Sequence, residues 1–192
     1  MDLSSLQNIM PGNLHDDCLY VCLHARGLRP TSYISDESKY HWTLLLGPKS
    51  GCTRGYGVRF RANNDTINRK WVYEEQEVPM IALNMLLVRV QIGKVDGFDR
   101  EHLAAKLRRV GVKQDDAFSC AVWLRLALQT LRDDERLVGV GRFDWEVVRD
   151  TALRYCESKT KAQRFDPSYG LGGSDLRTIP TFDIIRWEEI VP

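Results

Sequence analysis

The sequence has almost no net charge: 27 Lys and Arg stand against 26 Asp and Glu, a formal +1 over 192 residues. Composition therefore supplies no bulk attraction to nucleic acid or to an anionic membrane, and only a local basic patch would do so. No apolar run comes near the roughly twenty residues that a membrane helix needs, so no membrane association is expected. The start, Met1-Asp2-Leu3-Ser4-Ser5, lacks a basic segment followed by an apolar one, so no secretion signal is expected. The cysteines Cys18, Cys22, Cys52, Cys120 and Cys156 are odd in number, and none forms a Cys-x-x-Cys pair. That excludes the usual zinc knuckles and a disulfide framework, and reads as reduced thiols in a cytoplasmic protein with no metal and no cofactor. Also missing are a Gly-x-Ser-x-Gly nucleophile elbow and a phosphate loop, since Gly170, Gly172 and Gly173 follow no strand and lead to no Lys-Ser/Thr. Internal repeats and low-complexity blocks are absent as well.

What is present is ordinary globular composition, 43% hydrophobic and 28% charged. The length suits one domain spanning residues 1–192, with 1–14 as a loose lead-in around Pro11 and Gly12. Residues 18–24, 40–46, 57–62, 70–74 and 85–95 are rich in β-branched and aromatic side chains, in part alternating, and turn residues bound most of them; each predicts a strand. The character then changes. Leu103, Leu107 and Val110 share one face of a helix over 99–110 capped by Asp99. Leu124, Ala127, Leu128 and Leu131 stripe a second helix over 119–131, and Cys120 falls on that stripe. Asp144 caps a third, to about residue 161, and the chain closes in a tail ending at 187–192. Strands first and helices afterwards predict an α+β fold, an antiparallel sheet with helices packed on one side.

Two residues stand out chemically. His41 lies in the second strand, sharing a face with Thr43 and Leu45 while Trp42, Leu44 and Leu46 point the other way. Cys120 opens the second helix behind Asp115, Asp116 and Ser119. There the helix dipole and free backbone N–H groups favour a thiolate, and a nearby imidazole would complete a nucleophilic pair if helix and strand pack together. The plainer alternative makes Cys120 a packed hydrophobe and His41 a hydrogen-bonded strand residue. Asp115 and Asp116 are explained as helix caps, and the scattered Trp42, Trp71, Trp123, Trp145 and Trp187 as core, some lining a pocket.

The segments Tyr40-His41-Trp42-Thr43-Leu44-Leu45-Leu46-Gly47-Pro48, Met85-Leu86-Leu87-Val88-Arg89-Val90 and Phe118-Ser119-Cys120-Ala121-Val122-Trp123-Leu124 resemble a widespread family of uncharacterised fungal proteins. Asp144-Trp145-Glu146 and Pro180-Thr181-Phe182-Asp183 fit the same pattern. At a more distant level, a strand His followed by a Cys opening a helix is similar to the circularly permuted papain-like group of lecithin–retinol acyltransferase type. That resemblance implies a permuted papain-like fold and a Cys nucleophile in acyl or amide chemistry. It also implies a third polar residue on the next strand to orient His41, where Arg61 stands instead. A cation cannot accept the imidazole N–H, though its fork suits a carboxylate or phosphate.

The leading expectation is a cysteine-dependent acyl or amide transferase or hydrolase acting on a small, acylated or aminoacyl substrate in fungal secondary metabolism. Cys120 would be nucleophile, His41 base and acid, and Arg61, Trp42 and Trp123 substrate contacts. A non-catalytic ligand-binding or scaffold protein on the same fold is the alternative, with Arg61 its best support. An aminoacyl-tRNA-using transferase is a third, weakened by the absent basic footprint; nucleic acid is not an expected partner. The two main readings differ over Cys120: in a cleft beside His41, or buried among aliphatics with the ligand elsewhere.

Overall fold

Alternating apolar runs become the strands of one sheet because each can bury a face against helices that cannot hide their own apolar stripes otherwise. The computed structural model describes residues 17–26, 36–49, 55–65, 67–80, 85–95, 99–134, 136–137, 141–165 and 178–192. The lead-in, Cys52 and the 169–173 loop lie outside the described residues. Five strands come first: β1 (Asp17–Ala25), β2 (Tyr40–Gly47), β3 (Tyr56–Asp65), β4 (Lys70–Pro79) and β5 (Leu86–Val95). Three helices follow, α1 (Arg100–Arg108), α2 (Cys120–Arg132) and α3 (Trp145–Lys161), and then β6 (Thr181–Asp183) and β7 (Glu188–Val191). The sheet order is β4-β3-β2-β1-β5-β6-β7. Every pairing is antiparallel except β5 with β6, which run parallel through Arg89–Thr181, Val90–Phe182 and Gln91–Asp183. The architecture is thus α+β, as the order of elements predicts; the expected tail contains the two short strands β6 and β7.

The main core lies between the sheet and the helices. It joins Leu19, Val21, Leu23, Trp42, Leu44, Leu46, Val88, Val90 and Ile92 from the strands to Leu103, Leu124, Leu128 and Val148 from the helices. The other sheet face carries a smaller cluster of Cys18, Tyr20, Cys22, Leu45, Val78 and Met80, with no helical member. Helix α2 starts under the cap of Ser119, whose hydroxyl accepts from Val122 N at 3.2 Å. Asp144 does the same for α3 through Val147 N at 3.0 Å. Asp99 precedes α1 without a side-chain cap bond. Just before α3, Gly141 bridges to Gly93 of β5, and a Cβ there would sit 2.3 Å from Ile92 O. Only glycine fits that approach.

Candidate functional site

The packing decides which face of β2 the helices take. Trp42, Leu44 and Leu46 present more apolar surface than His41, Thr43 and Leu45, and the helices cover them. The His41 imidazole consequently leaves the strand on the face opposite α2. Residues paired across a sheet share a face, and His41 is paired with His24 of β1, their ring centroids 6.0 Å apart. His24 Nε2 in turn shares a hydrogen bond with Thr43 Oγ1 at 3.0 Å.

Cys120 lies in the helix-side core and is 0% exposed. Its sulfur accepts hydrogen bonds from Trp42 N at 3.4 Å and Arg26 Nη2 at 3.3 Å. The β2–β3 ladder runs from Leu44–Phe60 to Leu46–Val58 and stops short of Trp42, whose N–H is turned to the thiol instead. Arg26 is pinned beside it by Nε donating to Tyr40 O at 3.0 Å. No hydrogen bond joins Cys120 to His41 among the described residues. The expected meeting of the two does not form, because it required the helices to pack on the other face of β2.

Trp42 and Trp123 are likewise 0% exposed. Trp42 stacks against Trp145 at 5.4 Å and donates to Glu37 O at 2.9 Å, while Trp123 packs on Tyr73 at 5.8 Å. Both are core residues here, with no surface turned to a ligand.

The remaining expected residue, Arg61, is on the same face as His41. Its Nε and Nη2 meet Glu74 Oε2 at 2.7 and 2.6 Å, and Asn63 Nδ2 donates to Glu74 Oε1 at 2.9 Å. Burial opposes the Glu74 charge, but the bonds from Asn63 and Arg61 hold its carboxyl below the usual range. Register adds side chains that the sequence reading did not single out. Arg61 pairs with Glu74 and Arg59 with Gln76; Arg59 also faces Leu45, and Cys22 lies between Thr43 and Arg89. Arg59 donates to Gln76 Oε1 at 2.6 Å, and Arg89 to Met80 O at 2.7 Å beside the Tyr20 ring. The signal available in the sequence was polar residues inside strand runs at alternate positions: His24, Thr43, Arg59, Arg61 and Arg89.

The electrostatics of this face are lopsided. Burial, then the Arg61, Arg26 and Arg59 guanidinium groups, push His41 down to about 4. Burial, then His41 and Arg59, Arg61 and Arg89, push His24 down to about 3. Both imidazoles are neutral at pH 7. Among the described residues, Glu74 is the carboxylate whose charge acts on His41 and on Arg59. Three buried nitrogens on this face, His41 Nε2, Arg59 Nε and Arg89 Nε, have no hydrogen-bond partner among the described residues. Elsewhere, a cleft of about 430 Å³ opens between the 3-10 turn at Asp36–Lys39 and α3, and one of about 220 Å³ lies by Tyr155, Phe182 and Trp187. Neither contains an expected site residue. Among the described residues, no group of three or more His, Cys, Asp and Glu is gathered for a metal, and no helix is long and apolar enough to cross a membrane.

The fold and site define an α+β protein whose helices cover one sheet face, leaving guanidinium and imidazole groups on the other. A family model described as Family of unknown function (DUF6914) matches residues 16–191, and the chain belongs to that family. No curated protein and no solved structure matches it.

Proposed function

We propose that this protein binds a small, negatively charged molecule on the sheet face opposite its helices, with His41, Arg59 and Arg61 in contact with it. The observation that carries this reading is the set of three buried, unpartnered nitrogens on that face beside an excess of guanidinium charge. Buried polar groups are nearly always satisfied, and a buried donor without an acceptor costs about 1–3 kcal/mol. A ligand acceptor removes that cost. Arg61, expected as a substrate contact, keeps that role here, with Glu74 fixing its fork and Asn63 fixing Glu74. The test is a thermal-shift screen of acidic, neutral and basic metabolites on wild type and on Arg59→Gln. Stabilisation by acidic members, lost in the variant, is expected. Equal responses from all three classes, or from both proteins, would overturn the reading.

A second reading keeps the thiol enzyme of permuted papain-like type, because a guanidinium and a backbone N–H both donate to Cys120 Sγ at the start of α2. In that reading Arg26, not His41, is the partner of the nucleophile, and the substrate must reach a sulfur that is 0% exposed. Iodoacetamide labelling of the native protein separates the two. Labelling of Cys120 within minutes, slowed by Arg26→Gln, would favour the enzyme; labelling only on unfolding favours the binding protein.

A further inference from the structure

The cations on this face differ in what they face. Arg61 is matched by Glu74. Arg59 and Arg89 are not: their hydrogen-bond acceptors are the Gln76 amide and the Met80 carbonyl, both neutral. Arg89 is only 4% exposed. Each of the two keeps its Nε buried without an acceptor. They also lie on either side of one spot. Arg89 pairs with Cys22 across β1–β5, and Arg59 enters from β3 on the same face opposite Leu45, one step along from the Thr43–Cys22 pair of β1–β2. Both guanidinium charges act on Cys22 and on His24. Glu74 acts on Arg59 but is already bonded to Arg61, and no carboxylate among the described residues acts on Arg89. Burial raises the Cys22 thiol to about 11, so it stays protonated, and the His24 imidazole is neutral.

A buried Arg89 and a half-buried Arg59 whose hydrogen-bond acceptors are neutral are costly to desolvate. With Arg61 they set three guanidinium charges against Glu74, and a singly charged ligand would leave one charge unmatched. A planar fork with a free Nε–H suits an oxyanion with several acceptor oxygens. We propose that the ligand carries a doubly charged oxyanion, a phosphate monoester by chemical class, bound above Cys22 and Thr43 between Arg59 and Arg89. The inference rests on the anion-binding reading above and narrows it. Phosphate oxygens accept from the two Nε–H groups, and the neutral His41 and Thr43 hydroxyl at the margin supply hydrogen bonds, not charge.

The experiment uses inorganic phosphate as the probe and acetate as the singly charged comparison, at pH 7.5 and equal ionic strength. The arginine Nε–H signals of the ¹⁵N-labelled protein are followed, with calorimetry for affinity. Saturable movement of the Arg59 and Arg89 signals with phosphate is expected, at an affinity at least tenfold above that for acetate. Arg59→Gln should lower the phosphate affinity at least tenfold, whereas Arg125→Gln, which removes the same charge from the exposed face of α2, should leave it unchanged. Should Arg59→Gln fail to fold, the signal movements in wild type decide the matter, with Arg89→Lys as the second variant. Acetate moving the same signals as tightly as phosphate would overturn the doubly charged ligand and leave the anion site standing. If neither anion moves them, both proposals are lost.

Discussion

Acidifying the protein from pH 7.5 to pH 5.0 tests the electrostatic picture of the polar sheet face directly. The folded values of His24, about 3, and His41, about 4, both lie below the ordinary value of 6.5. Below pH 6.5 an unfolded chain therefore takes up protons that the folded one refuses, so unfolding is favoured by acid. The stabilisation is complete above pH 6.5 and is lost as pH falls toward the folded values. Arginine side chains do not titrate in that window, and the bonds from Asn63 and Arg61 hold Glu74 below the usual carboxylate range. One pKa unit corresponds to about 1.4 kcal/mol, so at pH 5.0 each histidine has withdrawn about 2 kcal/mol, together about 4 kcal/mol. Urea unfolding at 25 °C, at half-unit steps of pH, reads this as a falling midpoint at constant slope. The His24→Gln/His41→Gln double variant should show less than about 1 kcal/mol of the same loss, since an amide does not titrate. A wild type that loses less than about 1 kcal/mol by pH 5.0 would refute the reasoning. So would a double variant that falls in parallel with it, because the effect would then belong to other groups.

Two further outcomes follow from packing. Gly141→Ala drives a Cβ to 2.3 Å from Ile92 O, a backbone atom that cannot swing aside. A cost of about 3 kcal/mol is expected, seen as a drop of about 6–12 °C in Tm. Trp42→Ala removes a side chain that is 0% exposed and should cost about 3–5 kcal/mol. Trp187→Ala, at a position 60% exposed, should cost under about 1 kcal/mol. Equal losses for the two tryptophans in chemical unfolding would contradict the assignment of Trp42 to the core.

Much of the scaffold is written locally. Strands β1 to β5 show as runs of strand formers, most of them closed by turn residues, and Ser119 and Asp144 cap α2 and α3 where hydroxyl and carboxylate oxygens reach free N–H groups. Strands β6 and β7 are three and four residues long, too short for a period to register. They form through pairing with distant β5 and with each other. The site was half legible. Alternation put His41 with Thr43 and Leu45 correctly, and the bulkier set, Trp42, Leu44 and Leu46, already marked the helix side. Setting His41 against Cys120 ignored that difference in apolar bulk. Arg59, Arg89 and His24 come together only through the register of four strands, which no single segment states.

Seen during synthesis, the parallel joint between β5 and β6 sets an order of events. Strand β5, with Val88, Val90 and Ile92 all buried, is flanked by β1 on one side and by β6 on the other. Residues 178–192 are made after β5 and the helices, so until then the stretch of β5 that β6 covers, Arg89 to Gln91, has unpaired N–H and C=O groups on its outer edge. Tyr155 of α3 waits for that segment, its hydroxyl donating to Glu189 Oε1 and to Val191 O, and Lys159 pairs with Glu189. Residues 181–183 thus cover an edge that an open strand would offer to a second chain.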